Sequence, residues 1–435
     1  MHFFAGWIRL CGAKGHGSTE LCCVDGAEYE NEIVVSWIFF AQMTHATTQW
    51  ALARRLAQTE QVVLIGLPVS ILRERRVASF EARAQHSEDS KRLWNYSPLH
   101  LPERIPGFRG LLHEINRHRL YLELNRILTP EERRIACYDQ PAQHDMVKKL
   151  GEEISVYLAL DDRTLTVWGK SIPRELEAEK RLLAEVDIVV CVSNVLAEMV
   201  EARLPQGRKI PIHVLTNGFD ENVFDPQRQW VEPAILKDIP RPRILVTGYV
   251  SERIDWEGVI GCVEVQPDWT WIFIGPTSRG IQGKITDLSA SLGLSRKASH
   301  LPPLLWRDAV PVEEVPALIA HCDACAVPYR LNAFTRASSP LKAIEYLAMG
   351  APVISTRIPA LLRYGDAIQW VEEGDGESYA RGLDQLSSNL HNLLTRERRR
   401  AVVASDTWAH KTDQFREIVH GSKSIMPPSY RGAML

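Results

Sequence analysis

No apolar run in this sequence approaches the roughly 20 residues that a membrane-spanning helix needs; the longest, Ile33 to Ala41, is strand-sized. The opening residues, Met1 to Cys11, lack the charged start, clean apolar stretch and small-residue cleavage site of a secretory signal. A cytoplasmic protein is therefore expected. There is no excess of either charge: 51 basic and 54 acidic residues leave a net charge of −3, without the basic stripe of a dedicated nucleic-acid binder. No nucleic-acid partner is expected. No Gly-x-Gly-x-x-Gly follows a strand pattern, which argues against a dinucleotide-dependent dehydrogenase. The eight cysteines are scattered, with Cys22 and Cys23 adjacent, and fit no disulfide framework. Cys322 and Cys325 form a CxxC, but no second pair exists to complete a zinc site, so they read as buried strand cysteines. Repeats of 20–50 residues and low-complexity tracts are also missing.

What remains is an ordinary globular composition, 45% hydrophobic and 24% charged, over 435 residues, enough for two or three domains. Residues 1–31 show no period and read as a disordered leader or an over-called start. Beyond them, short apolar runs alternate with helical patterns. Ile33–Phe40, Gln61–Ile65, Ile135–Tyr138, Ile154–Leu160, Ile188–Cys191 and Ile212–Leu215 read as strands. Helices are expected at 47–58, 143–150, 173–185 and 194–203, with a helix-rich basic stretch from 72 to 130. Near-continuous apolar strands separated by helices imply a parallel sheet covered on both faces. Prolines 226, 233, 240 and 242 mark residues 226–242 as a linker. The same grammar then restarts, with strands at Ile244–Thr247, Trp271–Ile274, Ala324–Val327 and Val353–Ser355, helices at 255–265, 312–321 and 340–349, and a long basic helix at 384–404. The expected organisation is an α/β protein of two doubly wound, Rossmann-like domains, 32–225 and 243–405, facing across a cleft. A closing helix and tail occupy 406–435.

Local chemistry concentrates in Val327–Ser355. Ser338 and Ser339 precede Pro340, a strong helix-start signal: serine as N-cap and proline at the first helical position. The first turn of such a helix leaves free N–H groups, a ready anion site. Lys342 adds a full charge one turn in, Arg330 and Arg336 precede it, and Glu345 lies where a carboxylate can accept hydrogen bonds from ribose hydroxyls. Gly248 to Arg253 follows the first strand of the second half: Gly248 permits a tight turn, and Arg253 can grip a phosphate in a fork. The loop from Gly275 to Gly280 follows the next strand and can line a nucleotide.

These residues resemble the GT-B-fold glycosyltransferases of the group 1, family 4 type. The most specific match is PYRLNAFTRASSPLKAIEYLAMGAPVIST, which is similar to that family's donor-site signature. It is supported by Val214–Phe224, Gly248–Glu257, Pro267–Pro276 and Asp187–Val200. The resemblance implies a cytoplasmic enzyme moving a sugar from a UDP- or GDP-type donor to a hydroxyl on a sugar or lipid-linked acceptor, in cell-surface polysaccharide or glycolipid synthesis. It places Glu345 on the ribose, Ser338, Ser339, Lys342 and Arg253 on the diphosphate, and the base near Gly275 to Arg279. The sequence departs from the pattern in three places. Ala337 stands eight positions before Glu345, where many retaining members carry a first glutamate. The first strand–helix loop, Gln42 to Thr48, is not glycine-rich, and the lysine that many members place shortly after Arg253 is missing.

The acceptor hydroxyl needs a proton acceptor. Asp161 and Asp162 end a buried strand of the first half and are the leading candidates; His45 in the first loop is the alternative, with Asp139 and His144 ranked below. No Asp-x-Asp occurs, the arrangement with which glycosyltransferases of the other major fold hold a metal, so no metal or other cofactor is expected. Gly107–Leu128 alternates basic and apolar residues and suits either an anionic membrane surface or packing on the first sheet. Two rivals stand beside the transferase: a nucleotide-sugar epimerase of the same fold, and a catalytically silent subunit of GT-B fold.

Overall fold

The computed structural model describes residues 35–40, 48–70, 79–88, 90–101, 109–129, 132–278, 280–293, 303–387 and 393–421. The 1–31 leader and His45 lie outside them.

Two sheets organise the chain. The first has eight strands in the spatial order Ile212–Val214, Ile188–Cys191, Ile154–Ala159, Arg133–Tyr138, Val35–Phe40, Gln61–Ile65, Ser90–Tyr96 and Ala84–Ser87. All neighbours are parallel except the last two, which form an antiparallel hairpin. The second sheet is wholly parallel: Leu304–Arg307, Thr270–Ile274, Arg243–Thr247, Ala324–Val327, Val353–Thr356 and Gln369–Val371. Strands 243–247, 270–274, 324–327 and 353–356 are buried at every position. That explains their unbroken apolar character, since helices cover both faces.

One face of the first sheet buries Ile38, Val63, Tyr138 and Tyr157 under Leu124 and Leu183. The other packs Trp37, Phe39 and Ile135 against Leu52 and against Trp408, Phe415 and Val419 of the last helix, Trp408–Gly421. The C-terminal helix thus crosses back onto the N-terminal sheet. The stretch 226–242 is packed too: Leu236 and Ile239 are buried in the core of the second half, and Arg243 donates to the carbonyls of Leu236 and Ile239.

Several elements differ from expectation. Ala84–Ser87 and Ser90–Tyr96 form an antiparallel hairpin rather than helix. Only Leu93 and Tyr96 are buried on its second strand, so that strand carried no strand-like apolar signal. The helix expected at 143–150 is a 3-10 turn, Pro141–Met146, stabilised through Gln140 and Gln143. The long helix expected at 384–404 is represented by Gly376–Ser387, which packs on Trp256–Val265, and by Leu393–Ala401, whose Arg399 donates to the Gly350 carbonyl at 2.9 Å. Strands Leu304–Arg307 and Gln369–Val371 are short edge strands without a period of their own. The helix Arg109–Ile127 buries Leu120 and Leu124 toward the sheet and leaves Leu111, Ile115 and Leu122 outward. No described helix is long and apolar enough to cross a membrane. Cys322 and Cys325 are buried, at and just before a strand; burial pushes the Cys322 thiol up to about 12.

Candidate active site

Arg243–Thr247 is the switch point of the second sheet, with Thr270–Ile274 on one side and Ala324–Val327 on the other. In open parallel sheets ligands bind beyond the strand ends at such a point. Gly248, at φ 86, turns the chain out of the strand, and a Cβ there would lie 3.6 Å from Lys342 Nζ. Gly275 leaves the neighbouring strand at φ 143, and a Cβ would fall 2.2 Å from the Gly248 carbonyl oxygen, so both strand ends close tightly only with glycine. The chain from 248 to 255 then runs across the strand ends. The Val250 N–H donates to the Pro276 carbonyl at 2.9 Å, Arg330 N–H to Arg253 at 2.8 Å, and Asp255 N–H to Pro328 at 2.7 Å. Asp255 also caps the helix Trp256–Val265 through the Gly258 N–H.

This path holds Arg253 over Tyr329. The Arg253 guanidinium carbon lies 5.3 Å from the Tyr329 ring centroid, and Lys342 Nζ lies 5.4 Å from the same ring. Neither Lys342 Nζ nor Arg253 Nε, both buried, has a hydrogen-bond partner. Burial depresses the Lys342 ammonium; Tyr329 opposes the shift and Arg253 adds to it. Burial alone would raise the Tyr329 phenol, yet Arg253 and Lys342 together pull it below its usual value. A buried ammonium without a hydrogen-bond partner is costly to hold, and such a group in a folded protein calls for an explanation. An anionic ligand supplies one.

Lys342 sits in the first turn of the helix Leu341–Ala348. One turn on, half-buried Glu345 has its carboxyl pushed up to about 7 by burial, against the pull of Lys342. Glu345 and Leu341 line a cleft of about 820 Å³ that reaches Trp50, Arg55 and Trp408. Lys342 and Arg253 are not among its lining residues, so charge rather than volume locates the anion site.

The serines act differently from expectation. Ser338 and Ser339 lie between two helices, and Pro340, not a serine, occupies the N-cap of Leu341–Ala348. Ser338 caps the end of the short helix Ala333–Ala337: its Oγ donates to the Thr335 carbonyl at 2.7 Å, and its backbone N–H donates to the same carbonyl at 3.2 Å. The Ser339 carbonyl accepts from Asn217 Nδ2 at 2.7 Å, and Thr48 Oγ donates to Asn217 Oδ1 at 2.8 Å. Ser193 Oγ donates to the Ala337 carbonyl at 2.6 Å. These bonds tie the two halves together at the helix mouth, a role for Asn217 and Ser193 that sequence reasoning missed. Arg330 and Arg336 are exposed.

From the first half, half-buried Asp161 follows the strand Ile154–Ala159. Burial raises its carboxyl, countered by Arg163 and then by Arg253 of the second half, which puts Asp161 and Arg253 within electrostatic reach across the cleft. Asp162 is committed elsewhere. It is buried, pairs with Arg203 at 2.6 Å, and accepts from the Thr164 hydroxyl at 2.6 Å. Asp139 is also buried, accepting from Gln49 at 2.8 Å and Gln143 at 3.2 Å. Tyr329 was not singled out beforehand, although it stands in the strand-end Pro-Tyr-Arg of the signature stretch.

Comparison with known proteins fits this geometry. Residues 262–389 match the family model described as glycosyl transferases group 1. A Bacillus subtilis protein, TuaH, whose name proposes for it a glycosyltransferase role in teichuronic acid biosynthesis, is 23% identical over 233 residues, covering 53% of this chain and 56% of that protein. The D-inositol 3-phosphate glycosyltransferase of Corynebacterium urealyticum is 26% identical over 273 residues, 58% of this chain and 62% of its own. The chain thus spans less than two thirds of either relative. An Escherichia coli trehalose-6-phosphate structure bound with UDP-2-fluoro glucose superposes with a TM-score of 0.68 at 12% identity, covering 90% of this chain and 100% of the other. Sucrose-phosphate synthase of Thermosynechococcus elongatus gives 0.64 at 14%, with the same coverage.

Residues 262–389 are thus similar to the group 1 glycosyltransferases, and the chain has a GT-B fold. The position eight before Glu345 is Ala337, 1% exposed and packed in the core of the first half, so no carboxylate stands there. Among the described residues no cluster of three or more His, Cys, Asp or Glu could hold a metal ion.

Proposed function

We propose that the protein transfers a hexosyl group from a nucleoside-diphosphate sugar, of UDP or GDP type, to a hydroxyl of a sugar or lipid-linked acceptor in cell-surface polysaccharide or glycolipid synthesis. The observation that carries this reading is the buried Lys342 ammonium, without a hydrogen-bond partner, sharing the Tyr329 ring with the half-buried Arg253 guanidinium at the amino end of a helix and beside Gly248. Helix N-terminus and cations together suit a diphosphate and neutralise the leaving group without a metal. Glu345, one turn on, accepts from the ribose, and the chain after Gly275 borders the base. Ser338 and Ser339 shape the approach through their backbone. Asp161 is the acceptor-side base: it faces the cations, and burial makes its carboxyl more basic. The outward Leu111, Ile115 and Leu122, with Arg119 and Arg126 on the same helix, would rest on an anionic bilayer that presents a lipid-linked acceptor.

The test is calorimetric titration with UDP and GDP, with and without EDTA, followed by a donor-hydrolysis panel of the matching sugar nucleotides. One nucleotide binds with unchanged affinity in EDTA, and at least one of its sugars is released. If neither nucleotide binds, the donor assignment is wrong; nucleotide binding with no sugar released favours a silent subunit.

A further inference from the structure

The loop that follows Asp161 carries a feature that the donor site does not use. Residues 164–172 form a closed hairpin-like turn. Thr166 N–H donates to the Lys170 carbonyl at 2.8 Å, Gly169 N–H to Thr166 at 2.8 Å, and Ile172 N–H to Thr164 at 2.7 Å. Lys170 N–H also donates to Thr166 Oγ at 3.1 Å. Its foundation is the buried Asp162, which takes the Thr164 N–H and hydroxyl on one oxygen and Arg203 on both; Arg203 is pinned in turn by Glu179 at 2.9 Å. The tip is fixed from the other half of the molecule. Asn332 Nδ2 donates to the Val167 carbonyl at 3.0 Å, and a Cβ on Gly169, at φ 74, would lie 3.2 Å from the Ala333 nitrogen.

Trp168 stands between those two anchored residues and is 55% exposed, the one exposed tryptophan among those described. Val167 and Gly169 meet the second half while Trp168 stays in solvent, so the indole marks the rim of the gap between the halves. The rim is next to the proposed site. Asn332 lies two residues beyond Arg330, whose N–H is bonded to the Arg253 carbonyl, and Asp161 begins the segment. Exposed Arg163 and Lys170 flank the tip. A large apolar surface costs free energy when held in water, and a turn braced from both sides gives it no local core to join.

We propose that Trp168 is an acceptor platform: a pre-positioned indole against which a pyranose ring of a saccharide acceptor stacks, presenting a hydroxyl toward Asp161. The pairing suits the chemistry. A pyranose offers an apolar C–H face to an aromatic ring and hydroxyls at its edge to the charged groups around the tip. Because the turn is already ordered, little conformational freedom is lost on binding. The inference rests on the transferase reading and deepens it by naming the acceptor as a carbohydrate.

The experiment uses full-length protein labelled with 5-fluorotryptophan, with the Trp168 fluorine resonance assigned by Trp168→Phe. The probes are methyl α- and β-glucopyranoside and methyl 2-acetamido-2-deoxy-glucopyranoside, with glycerol as a polyol lacking a ring face. The Trp168 resonance should shift saturably with at least one pyranoside and not with glycerol. Affinity for that pyranoside should fall about 3- to 10-fold in Trp168→Ala and less in Trp168→Phe, which keeps a ring. Titration of UDP and GDP runs in parallel and should be unaltered by either substitution. A Trp168 signal unmoved by every pyranoside, or equal pyranoside affinity in wild type and Trp168→Ala, would overturn the platform while leaving nucleotide binding in place. Failure of the transferase reading is distinguishable, because wild type would then bind neither nucleotide.

Discussion

Replacing Lys342 by methionine should move stability and ligand affinity in opposite directions. Methionine keeps most of the buried stem and removes the charge. In the free protein Lys342 is 8% exposed, its ammonium has no hydrogen-bond partner, and it shares the Tyr329 ring with Arg253. A buried polar group left without a partner costs about 1–3 kcal/mol, more when it is charged, so Lys342→Met should unfold later than wild type without nucleotide. A charged hydrogen bond to phosphate contributes about 1.5–3 kcal/mol, so the same change should weaken UDP or GDP binding roughly 10- to 150-fold. Calorimetric titration reads the affinity; urea unfolding with and without nucleotide reads the stability. The pH dependence has a definite sign. The Lys342 ammonium is held below its ordinary value of 10.5, first by burial and then by Arg253 against the pull of Tyr329. Between the folded and ordinary values the native state binds fewer protons than the unfolded chain, so wild-type stability rises with pH there. The advantage of the variant should therefore be full below the depressed folded value and shrink as pH rises toward 10.5. A variant that is less stable at pH 7 and binds nucleotide as before would refute the cation-hole reasoning.

Two further substitutions probe other links. Burial, opposed by Lys342, pushes Glu345 from 4.5 to about 7, so the native state keeps a proton that the unfolded chain loses. Its contribution is full below pH 4.5 and lost as pH rises through 7; Glu345→Gln should flatten that part of the stability profile in urea titrations, and an unchanged slope would exclude the shift. Phe415 is fully buried, with its ring 5.3 Å from Trp37, and Phe415→Ala should cost about 3–5 kcal/mol in a single unfolding transition. A loss below about 1 kcal/mol would show that the last helix is not docked on the first sheet.

Much of this molecule was legible in one dimension, because near-continuous apolar runs such as Trp271–Ile274 and Ala324–Val327 have few alternatives to a buried parallel strand. Where a strand is only partly covered, as in Ser90–Tyr96, two buried residues in seven suffice, and the polar remainder looked helical. Lys342, Glu345, Gly248 and Arg253 stood out because glycine at a strand end and charge at a helix start have local reasons.

Local order along the chain determined most strands of the two sheets and the helix start near Pro340, since each follows from residues within a few positions. Only the tertiary structure decided which of two adjacent aspartates faces the second half. Asp162 is taken by Arg203, 41 positions away, and Asp161 is left beside Arg253. The same holds for Tyr329 between two cations, and for Trp408–Gly421 lying on the sheet that begins the chain. Such pairings depend on which chain segments meet, and local sequence periodicity carries no record of that.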